Sequence, residues 1–285
     1  MRRVRIERDG VALWGQPAGD SIHLDDGSSV PESDATYLAP VEPTKIICTH
    51  LNFPSRVEEF GARTPEHPSY FMKPPSSLNG HRRPIAKPPG GLYLNYEGEV
   101  AVVIGRRCRE VSIDDAFAHV AGYAPANDVG LHDFRHADRG SMLRVKGQDG
   151  FCPLGPALAD AADVDPGALV VRTYVNGEVV QEGGTATDLL FPFDYQIADV
   201  SRLITLERGD VLLTGTPANS RPVEPGDVVE VEVEGIGRLR NRIVESEREL
   251  ADVGARPEVS AQTLHVALAM PEDQAEREVA EGKWA

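Results

Sequence analysis

The sequence predicts a β-rich α+β fold with a small N-terminal β unit and a helical C-terminal tail. Short runs of β-branched residues, bounded by turn-forming glycine, proline and asparagine, outnumber the segments with helical periodicity. Two such runs flank Asn176-Gly177, a strong signal for a type I′ hairpin. A second hairpin is indicated around Gly235-Ile236-Gly237, because acidic residues before this turn and arginines after it repeat every second position.

The chain divides into three parts by composition. Residues 1–45 contain short predicted strands, including a hairpin signal at Asp9-Gly10, and form a predicted β-rich N-terminal domain. Residues 46–244 form the main body. Residues 245–285 hold ten acidic and four basic residues and form a predicted acidic C-terminal extension that is partly helical.

Three helices are predicted. One begins at Ser112, which with Asp115 resembles a capping box, and a second lies within residues 194–206. The third begins at Pro271 in the extension. We expect this tail helix to pack on the body or on a partner subunit and to take no direct part in catalysis.

Composition limits the classes of partner. The formal net charge of −16 over 285 residues argues against nucleic acid and anionic membranes as partners. No apolar run approaches the ~18 residues of a membrane span, and the N-terminus "MRRVRIERDG" alternates like a strand, so we expect a cytoplasmic protein. The three cysteines lack CxxC spacing, and nucleotide-binding glycine motifs and GxSxG are absent from the sequence.

Two glutamates stand out in the predicted strand "LNYEGEVAVVIG", residues 94–105. Alternation along a strand places Glu97 and Glu99 on the same face as Ala101. Like charges this close on an apolar strand are unfavourable unless a cation or a proton neutralises them, or the face is solvated.

The segment "GDVVEVEVEGIGRLRNRIVE" provides a comparison. Its three alternating acidic residues face three alternating arginines across the predicted hairpin, so ion pairs explain them without a metal; they are Glu230, Glu232 and Glu234 with Arg238, Arg240 and Arg242. The strand at Glu97 has no basic row beside it in the sequence. This contrast favours a cation site there.

A hard divalent cation commonly takes two or three carboxylates, so a third ligand is needed. Asp128 in "ANDVGLHDFRH" is the best candidate, although an aspartate there could equally be a turn or cap residue. On a helix, Asp128, His132 and His136 would share one face, which would favour zinc instead. The residues alone leave this choice open.

Two further residues suggest ligand binding. Lys146 in "SMLRVKGQDG" is a point charge that could hold a carboxylate or stabilise an enolate, or it could be an ordinary exposed lysine. Thr216 follows a buried strand in "VLLTGTPANS", where a hydroxyl and free backbone amides meet; threonine there is first a turn residue and second a ligand contact.

Six collinear segments resemble the fumarylacetoacetate hydrolase (FAH) superfamily over residues 46–244. They are "FMKPPSSLNG", "NYEGEVAVVIG", "VAGYAPANDV", "LRVKGQDG", "TLERGDVLLTGTPA" and "PGDVVEVEVEGIGRLRNRIV". Within the family, the segments "LRVKGQDG" and "RTYVNGEVVQEGGTATDLLF" are most similar in sequence to the isomerase/decarboxylase branch of homoprotocatechuate catabolism. Enzymes of that branch act on 5-carboxymethyl-2-hydroxymuconate and 5-oxopent-3-ene-1,2,5-tricarboxylate.

The resemblance implies a fold, a cofactor and a set of site residues. The fold is a mixed β-sandwich roll, usually a homodimer, with Mg²⁺ or Mn²⁺ bound by an E-x-E motif and a downstream aspartate. Matched residue by residue, the family's metal ligands are Glu97, Glu99 and Asp128, its active-site lysine is Lys146, its carboxylate-binding threonine is Thr216, and the lysine of its KP motif is Lys73.

One departure from the family concerns the lid segment "LNFPSRVEEF". Many hydrolases and decarboxylases of the family carry an H-x-x-E dyad there that activates water, whereas this chain has Arg56 in place of the histidine and retains Glu59. Arginine cannot act as a general base at neutral pH, so hydrolysis is disfavoured unless His50 or His132 substitutes. Arg56 could clamp a distal carboxylate, and Glu59 could shuttle protons with a pKa raised by burial.

The resemblance therefore implies a divalent-metal-dependent enzyme that acts on 2-oxo or 2-hydroxy-dienoic acids through a stabilised enolate. We expect an isomerase and/or decarboxylase of the 2-hydroxyhepta-2,4-diene-1,7-dioate type, with a small-molecule 2-oxo acid as substrate. Two alternatives stay open: an acylpyruvate or fumarylpyruvate hydrolase, and a catalytically silent homologue that binds a 2-oxo acid.

Overall fold

A computed structural model describes residues 2–248 and 252–284, with twenty strands and six α-helices among them. The strands are β1 (Arg2–Arg8), β2 (Val11–Ala18), β3 (Ser21–Leu24), β4 (Ser29–Pro31), β5 (Thr36–Leu38), β6 (Ile46–His50), β7 (Ser69–Lys73), β8 (Leu78–Asn79), β9 (Ile85–Lys87), β10 (Leu94–Asn95), β11 (Gly98–Ile104), β12 (Val120–Asn127), β13 (Gly130–Leu131), β14 (Cys152–Pro153), β15 (Ala157–Asp160), β16 (Val170–Val175), β17 (Glu178–Gly184), β18 (Val211–Leu213), β19 (Val228–Val233) and β20 (Gly237–Glu245). The helices are α1 (Pro54–Glu59), α2 (Arg135–Asp138), α3 (Leu143–Lys146), α4 (Phe193–Leu203), α5 (Ala261–Leu268) and α6 (Glu272–Ala280).

The larger sheet has eleven strands in the order β4-β3-β2-β1-β15-β12-β11-β18-β6-β7, with β5 also paired to β1. Pairing of β1 with β15 joins the N-terminal strands to the sheet of the main body. The predicted hairpin at Asp9-Gly10 is confirmed; both residues have positive φ, 53° and 76°, as the turn requires.

The smaller sheet has five strands in the order β17-β16-β19-β20-β9. Its two predicted hairpins are confirmed: β16 and β17 flank Asn176-Gly177, and β19 pairs with β20. Arg238 and Arg240 lie 3.2 and 3.7 Å from Glu230, as predicted for this residue. The other two acidic residues have partners on β16 instead: Glu232 accepts a hydrogen bond from the Tyr174 hydroxyl, and Glu234 pairs with Arg172.

The main core lies between the two sheets, and β11 runs through its centre with every residue buried. Val100 and Val102 face the core that also contains Val231 of β19, whereas Ala101 belongs to a second apolar cluster on the opposite face. Because both faces of β11 are covered, any charge at its end is largely removed from water. The mixed, β-rich architecture confirms the predicted fold class.

The helix predicted from Ser112 is wrong. The Ser112 hydroxyl accepts a hydrogen bond from the Asp115 amide, as in a cap, but only a 3₁₀ turn follows, at Ala116–His119. The chain then enters β12, because residues from Val120 onwards pair with β11 on one side and β15 on the other. Strand pairing here overrides the local helical signal. The helix predicted within residues 194–206 is confirmed as α4.

The C-terminal extension contains two helices. Helix α6 begins after Pro271 as predicted, whereas the preceding α5 was not predicted. The start of α5 is marked in the sequence by Ser260, which caps the helix. Thr263 completes the capping box in place of the usual glutamate. Residues 249–251 and 285 of the predicted extension lie outside the described part. Among the described helices, none is long and apolar enough to cross a bilayer.

Candidate metal centre

The ends of β11 and β12 bring two acidic residues together. These strands are antiparallel, with Gly98 opposite Asn127, so that the next residues outward, Glu97 and Asp128, are neighbours. The Asp128 amide donates to the Glu97 carbonyl oxygen at 2.8 Å, and the Glu97 amide donates to Asn127 Oδ1 at 2.9 Å. The predicted single strand over residues 94–105 is interrupted here, between β10 and β11.

Three carboxylates converge at this point. One oxygen each of Glu97, Glu99 and Asp128 lies within 4.8 Å of the others, and the three residues are 9%, 2% and 1% exposed. Three hard oxygen donors beside a cavity suit Mg²⁺ or Mn²⁺, which leave further positions for water or substrate. The donor set therefore fits the cofactor that the resemblance implies.

The structure does not bring together the residues of the alternative zinc site. Asp128 lies at a strand end, whereas His132 begins a 3₁₀ turn and His136 lies in α2, so the three do not share one helix face. His132 is fully buried, and its Nδ1 accepts a hydrogen bond from Arg135 Nε at 3.0 Å. His136 Nδ1 contacts the Asp133 carbonyl instead. The alternative zinc set, which required these three residues on one helix face, is therefore not formed.

Two buried lysines contact the carboxylates. Lys146 Nζ lies 2.6 Å from Glu97 Oε2 and 3.0 Å from Asp128 Oδ2, and Lys73 donates to Asp128 Oδ1. Burial alone would raise the pKa of Asp128, but Lys146 and Lys73 outweigh this effect and hold it below its ordinary value. Basic partners thus reach these carboxylates from distant segments, although none lies beside Glu97 in the sequence.

Glu99 is the least compensated of the three carboxylates. Its Oε2 accepts a hydrogen bond from the Gly215 amide at 2.7 Å. Burial raises the pKa of Glu99 well above its ordinary value, and the negative charges of Asp128 and Glu97 raise it further. This residue has the electrostatic problem that the strand pattern predicted, and a bound dication would relieve it.

Helix α1 places the lid residues over the carboxylates. Arg56 Nη1 donates to Glu59 Oε2 at 2.6 Å, and Nη2 lies 3.3 Å from Glu97 Oε1. Arg221 Nη1 lies 2.7 Å from Glu59 Oε1. Burial alone would raise the pKa of Glu59, but Arg56 and Arg221 lower it below its ordinary value. The predicted raised pKa is therefore wrong for this arrangement, because the two arginines stabilise the carboxylate.

A narrow cavity lies between the carboxylates, the lid helix and the C-terminal extension. Thr216 lines it; its hydroxyl donates to the Gly98 carbonyl oxygen at 2.9 Å and accepts from Gln181 Nε2 at 3.1 Å. Lys146 and Arg56 also line the cavity. Lys73 is not among the lining residues; its ammonium group donates a hydrogen bond to Asp128 Oδ1.

Several lining residues were not predicted from the sequence, and Arg135 and Val266 matter most among them. Arg135 faces the cavity with its Nε bonded to His132, and burial lowers its pKa to about 10, with the Arg56 charge acting in the same direction. Val266 of α5 also lines the cavity, so the tail packs on the main body and forms part of the site wall. His50, which the sequence suggested only as a substitute base, also lines the cavity.

Comparisons with known proteins support the resemblance. The family described as fumarylacetoacetate (FAA) hydrolase C-terminal matches residues 45–244. The chain is 39% identical over 246 residues to the 4-hydroxyphenylacetate degradation bifunctional isomerase/decarboxylase of Escherichia coli, a match that covers 86% of this chain and 56% of that protein.

Two solved structures are also similar. The 5-carboxymethyl-2-hydroxymuconate delta-isomerase from Mycobacterium smegmatis has 37% identity and a TM-score of 0.78, over 87% of this chain and all of that one. The maleylpyruvate hydrolase from Sphingobium sp. SYK-6, solved in complex with manganese (II) ion and pyruvate, has 26% identity and a TM-score of 0.73, over 87% of this chain and all of that one. From its fold and these similarities, the chain belongs to the fumarylacetoacetate hydrolase family.

Proposed function

We propose that the protein is a Mg²⁺- or Mn²⁺-dependent isomerase and/or decarboxylase of 2-hydroxyhepta-2,4-diene-1,7-dioate-like acids. The observation that carries this proposal is the lid: Arg56 stands where a water-activating histidine would, and it holds Glu59 in an ion pair. Arg56 cannot remove a proton from water at neutral pH, because it is a permanent cation, and Glu59 is a weakened base, because Arg56 and Arg221 lower its pKa. Chemistry that needs no activated water is therefore favoured.

The residues of the cavity have separate roles in this proposal. Glu97, Glu99 and Asp128 would hold the metal ion, which supplies an electrophile for the 2-oxo and carboxylate oxygens of the substrate. Lys146 and Thr216 would bind the carboxylate next to the oxo group, and their buried positions would keep water away from it.

A second pair of cations suits the far end of a dicarboxylic acid. Arg56 and Arg135 both line the cavity, and the Nε of Arg135 is oriented by His132. A guanidinium binds a carboxylate through two parallel hydrogen bonds, which also sets its orientation. These two arginines support a dioic rather than a monocarboxylic substrate.

Hydrolysis of an acylpyruvate or fumarylpyruvate is the second candidate, and His50 is the observation that favours it. His50 lines the cavity, whereas His132 does not, so His50 is the histidine placed to replace the missing lid base. If His50 activates water, His50→Ala should abolish pyruvate release from an acylpyruvate while leaving any isomerisation intact.

Incubation of the Mg²⁺- or Mn²⁺-loaded protein with both substrate types tests the proposal. We expect an ultraviolet change with the dienoic dioate and no pyruvate release from the acylpyruvate. Pyruvate release without any change of the dioate would refute the proposal. Binding of a 2-oxo acid that Glu97→Ala abolishes, without turnover of either substrate, would indicate the silent homologue.

We further propose that the protein acts in the cytoplasm as a homodimer, as its family resemblance implies. Light scattering of the purified protein tests the oligomeric state. A mass equal to the 30.9 kDa of one chain at micromolar concentration would contradict the dimer.

A further inference from the structure

The C-terminal extension contributes to the candidate site, although it lies beyond residue 244, where the family match ends. Its helix α5 is fastened to the segments that carry the carboxylates. Thr263 Oγ1 donates to the His132 carbonyl oxygen at 3.2 Å, and Asn95 Nδ2 donates to the Ala267 carbonyl oxygen at 3.0 Å. His132 follows Asp128 by four residues, and Asn95 precedes Glu97 by two. Helix α5 therefore has a defined position relative to the carboxylates.

Apolar packing fixes the helix further. Leu264, Ala267 and Ala275 are fully buried in one cluster with Tyr93 of the main body. With its neighbours Leu264 and Ala267 packed inward, Val266 faces the cavity and is 9% exposed. The side chain of Val266 is thus a rigid part of the cavity wall, because its own helix is anchored on both sides of it.

The tail also contacts the lid. The ring of His265 lies 5.3 Å from that of Phe60, measured between centroids, and the Arg56 guanidinium lies 4.2 Å from the centre of the Phe60 ring. A groove separates the rest of the lid from the tail, and both of its sides carry acidic residues: Glu58 and Glu59 on one side, and Glu272, Asp273 and Glu276 on the other. The close contact is therefore confined to a small area, which permits the lid and the tail to separate.

The cavity behind this contact is small. Its free space is about 30 Å³, enough for only one or two water molecules. An acid of several carbons can enter only if the lid helix opens or the cavity wall moves. Among these boundaries, Val266 is the one formed by the anchored tail rather than by the lid.

We propose that the C-terminal extension sets the length of the acid that the site accepts, with Val266 as its outer wall and His265 as the contact that holds the lid closed. This inference rests on the proposed function, since it assumes that a 2-oxo acid occupies the cavity. Shortening the side chain at position 266 should admit longer acids, and enlarging it should exclude them. The affinity of the site for the 2-oxo acid end of the ligand should not change.

Calorimetric titration of the full-length, Mn²⁺-loaded protein with oxalate, 2-oxopimelate and 2-oxosuberate tests the wall. Val266→Ala should increase the affinity for 2-oxosuberate, which is one carbon longer than the proposed substrate, at least fivefold and change that for oxalate less than twofold, whereas Val266→Phe should weaken binding of the seven-carbon 2-oxopimelate at least fivefold. Val279→Ala, the same truncation in α6 and outside the cavity lining, should alter no affinity by more than twofold.

Equal shifts for all three acids, or the same selectivity change in Val279→Ala, would overturn the inference. If the wild-type protein binds none of these acids, the proposed function itself fails, and the length limit fails with it. If the wild type binds oxalate but substitutions at Val266 leave the length preference unchanged, only the present inference fails.

Hydrogen exchange of the metal-free protein tests the lid contact without any ligand. His265→Ala should accelerate exchange of the amides in residues 54–61 at least threefold, because Phe60 loses its ring contact with the tail. His67→Ala, which removes an exposed histidine outside the contact, should not. Unchanged exchange in His265→Ala would show that the tail does not hold the lid.

Discussion

At the residue scale, the buried lysine of the site depends on a neighbouring glycine. A Cβ at Gly130 would lie 2.9 Å from Lys146 Cε and 3.0 Å from Cδ. Both contacts are too close for ordinary packing, so a side chain at position 130 would push the ammonium group away from its carboxylate partners. The position of Lys146 is thus set by a residue that performs no chemistry.

If Lys146 has the proposed role, Gly130→Ala should lower kcat at least tenfold on the proposed dioate substrate, since a displaced cation would no longer stabilise the developing charge. Circular dichroism should show an unchanged fold. Gly167→Ala, at an exposed loop glycine with space for a methyl group, serves as the control. Full activity in Gly130→Ala would contradict the role given to Lys146.

His81 makes stability depend on pH. It is 8% exposed, and its Nδ1 accepts a hydrogen bond from the Arg240 amide at 3.1 Å. Burial, with the charges of Arg82 and Arg240, lowers the pKa of His81 from 6.5 to about 4. The folded state therefore favours the neutral ring, and the unfolded chain binds the proton first as the pH falls.

The contribution of His81 should be fully present above pH 6.5 and lost as the pH falls from 6.5 through 4, by up to about 3 kcal/mol in the free energy of unfolding. Urea titrations across this range should show a shallower pH dependence for His81→Asn than for the wild type. His67→Asn, at an exposed position, should retain the wild-type slope. Parallel curves for all three proteins would refute this assignment.

At the element scale, the lid helix α1 is held by charges from two directions. Glu59 is bonded to Arg56 within the helix, and it also contacts Arg221 and the Asn219 amide from the loop that follows β18. Arg221 is 36% exposed at its side chain, so its ion pair contributes less than about 1 kcal/mol. The lid is closed by several modest interactions, which suits an element that must open.

Arg221→Gln should accelerate hydrogen exchange in residues 54–60 by about two- to fivefold, in keeping with an ion pair of that strength. Raising the ionic strength should reduce the difference from the wild type. Arg202→Gln removes a pair of equal length, 2.7 Å, to Asp199 of α4 and should leave the lid unaffected. Equal exchange rates in Arg221→Gln and Arg202→Gln would contradict a role of the Arg221–Glu59 ion pair in holding the lid closed.

At the scale of the whole molecule, metal binding should couple to stability. The three carboxylates come from the ends of two central strands, so an ion bound there connects β11 to β12 at the middle of the large sheet. At one hundred times its Kd, a ligand that binds only the folded state stabilises it by about 2.7 kcal/mol. For a chain of this size that corresponds to roughly 4–5 °C in Tm.

We expect this rise in Tm on addition of Mn²⁺ and its reversal by a chelator. Glu99→Gln should abolish the rise, and its metal-free Tm should equal or exceed that of the wild type, because the substitution removes a poorly compensated buried carboxylate. Glu230→Gln, in the acidic row paired with arginines, should retain the full response to Mn²⁺. A response to Mn²⁺ that survives in Glu99→Gln would contradict the ligand set.

Local signals in the sequence predicted much of the fold and the acidic part of the site. Hairpins at Asn176-Gly177 and Asp9-Gly10 follow from the backbone preferences of two adjacent residues, and the shared face of Glu97 and Glu99 follows from strand alternation. Such features depend on a few neighbouring residues. The Ser112 segment shows the limit, because pairing with two other strands overrode its local preference.

By itself, the sequence determined the family, the β-rich fold class and the candidate carboxylates, since motif order, turn chemistry and alternation are local properties of the chain. Only the tertiary structure decided the charge balance of the site and its walls. Lys73 approaches the carboxylates from a distant segment, two arginines reverse the expected pKa shift of Glu59, and α5 places Val266 in the cavity. These properties arise from burial and long-range contacts, which depend on how separate segments pack together and not on the order of residues within any one of them.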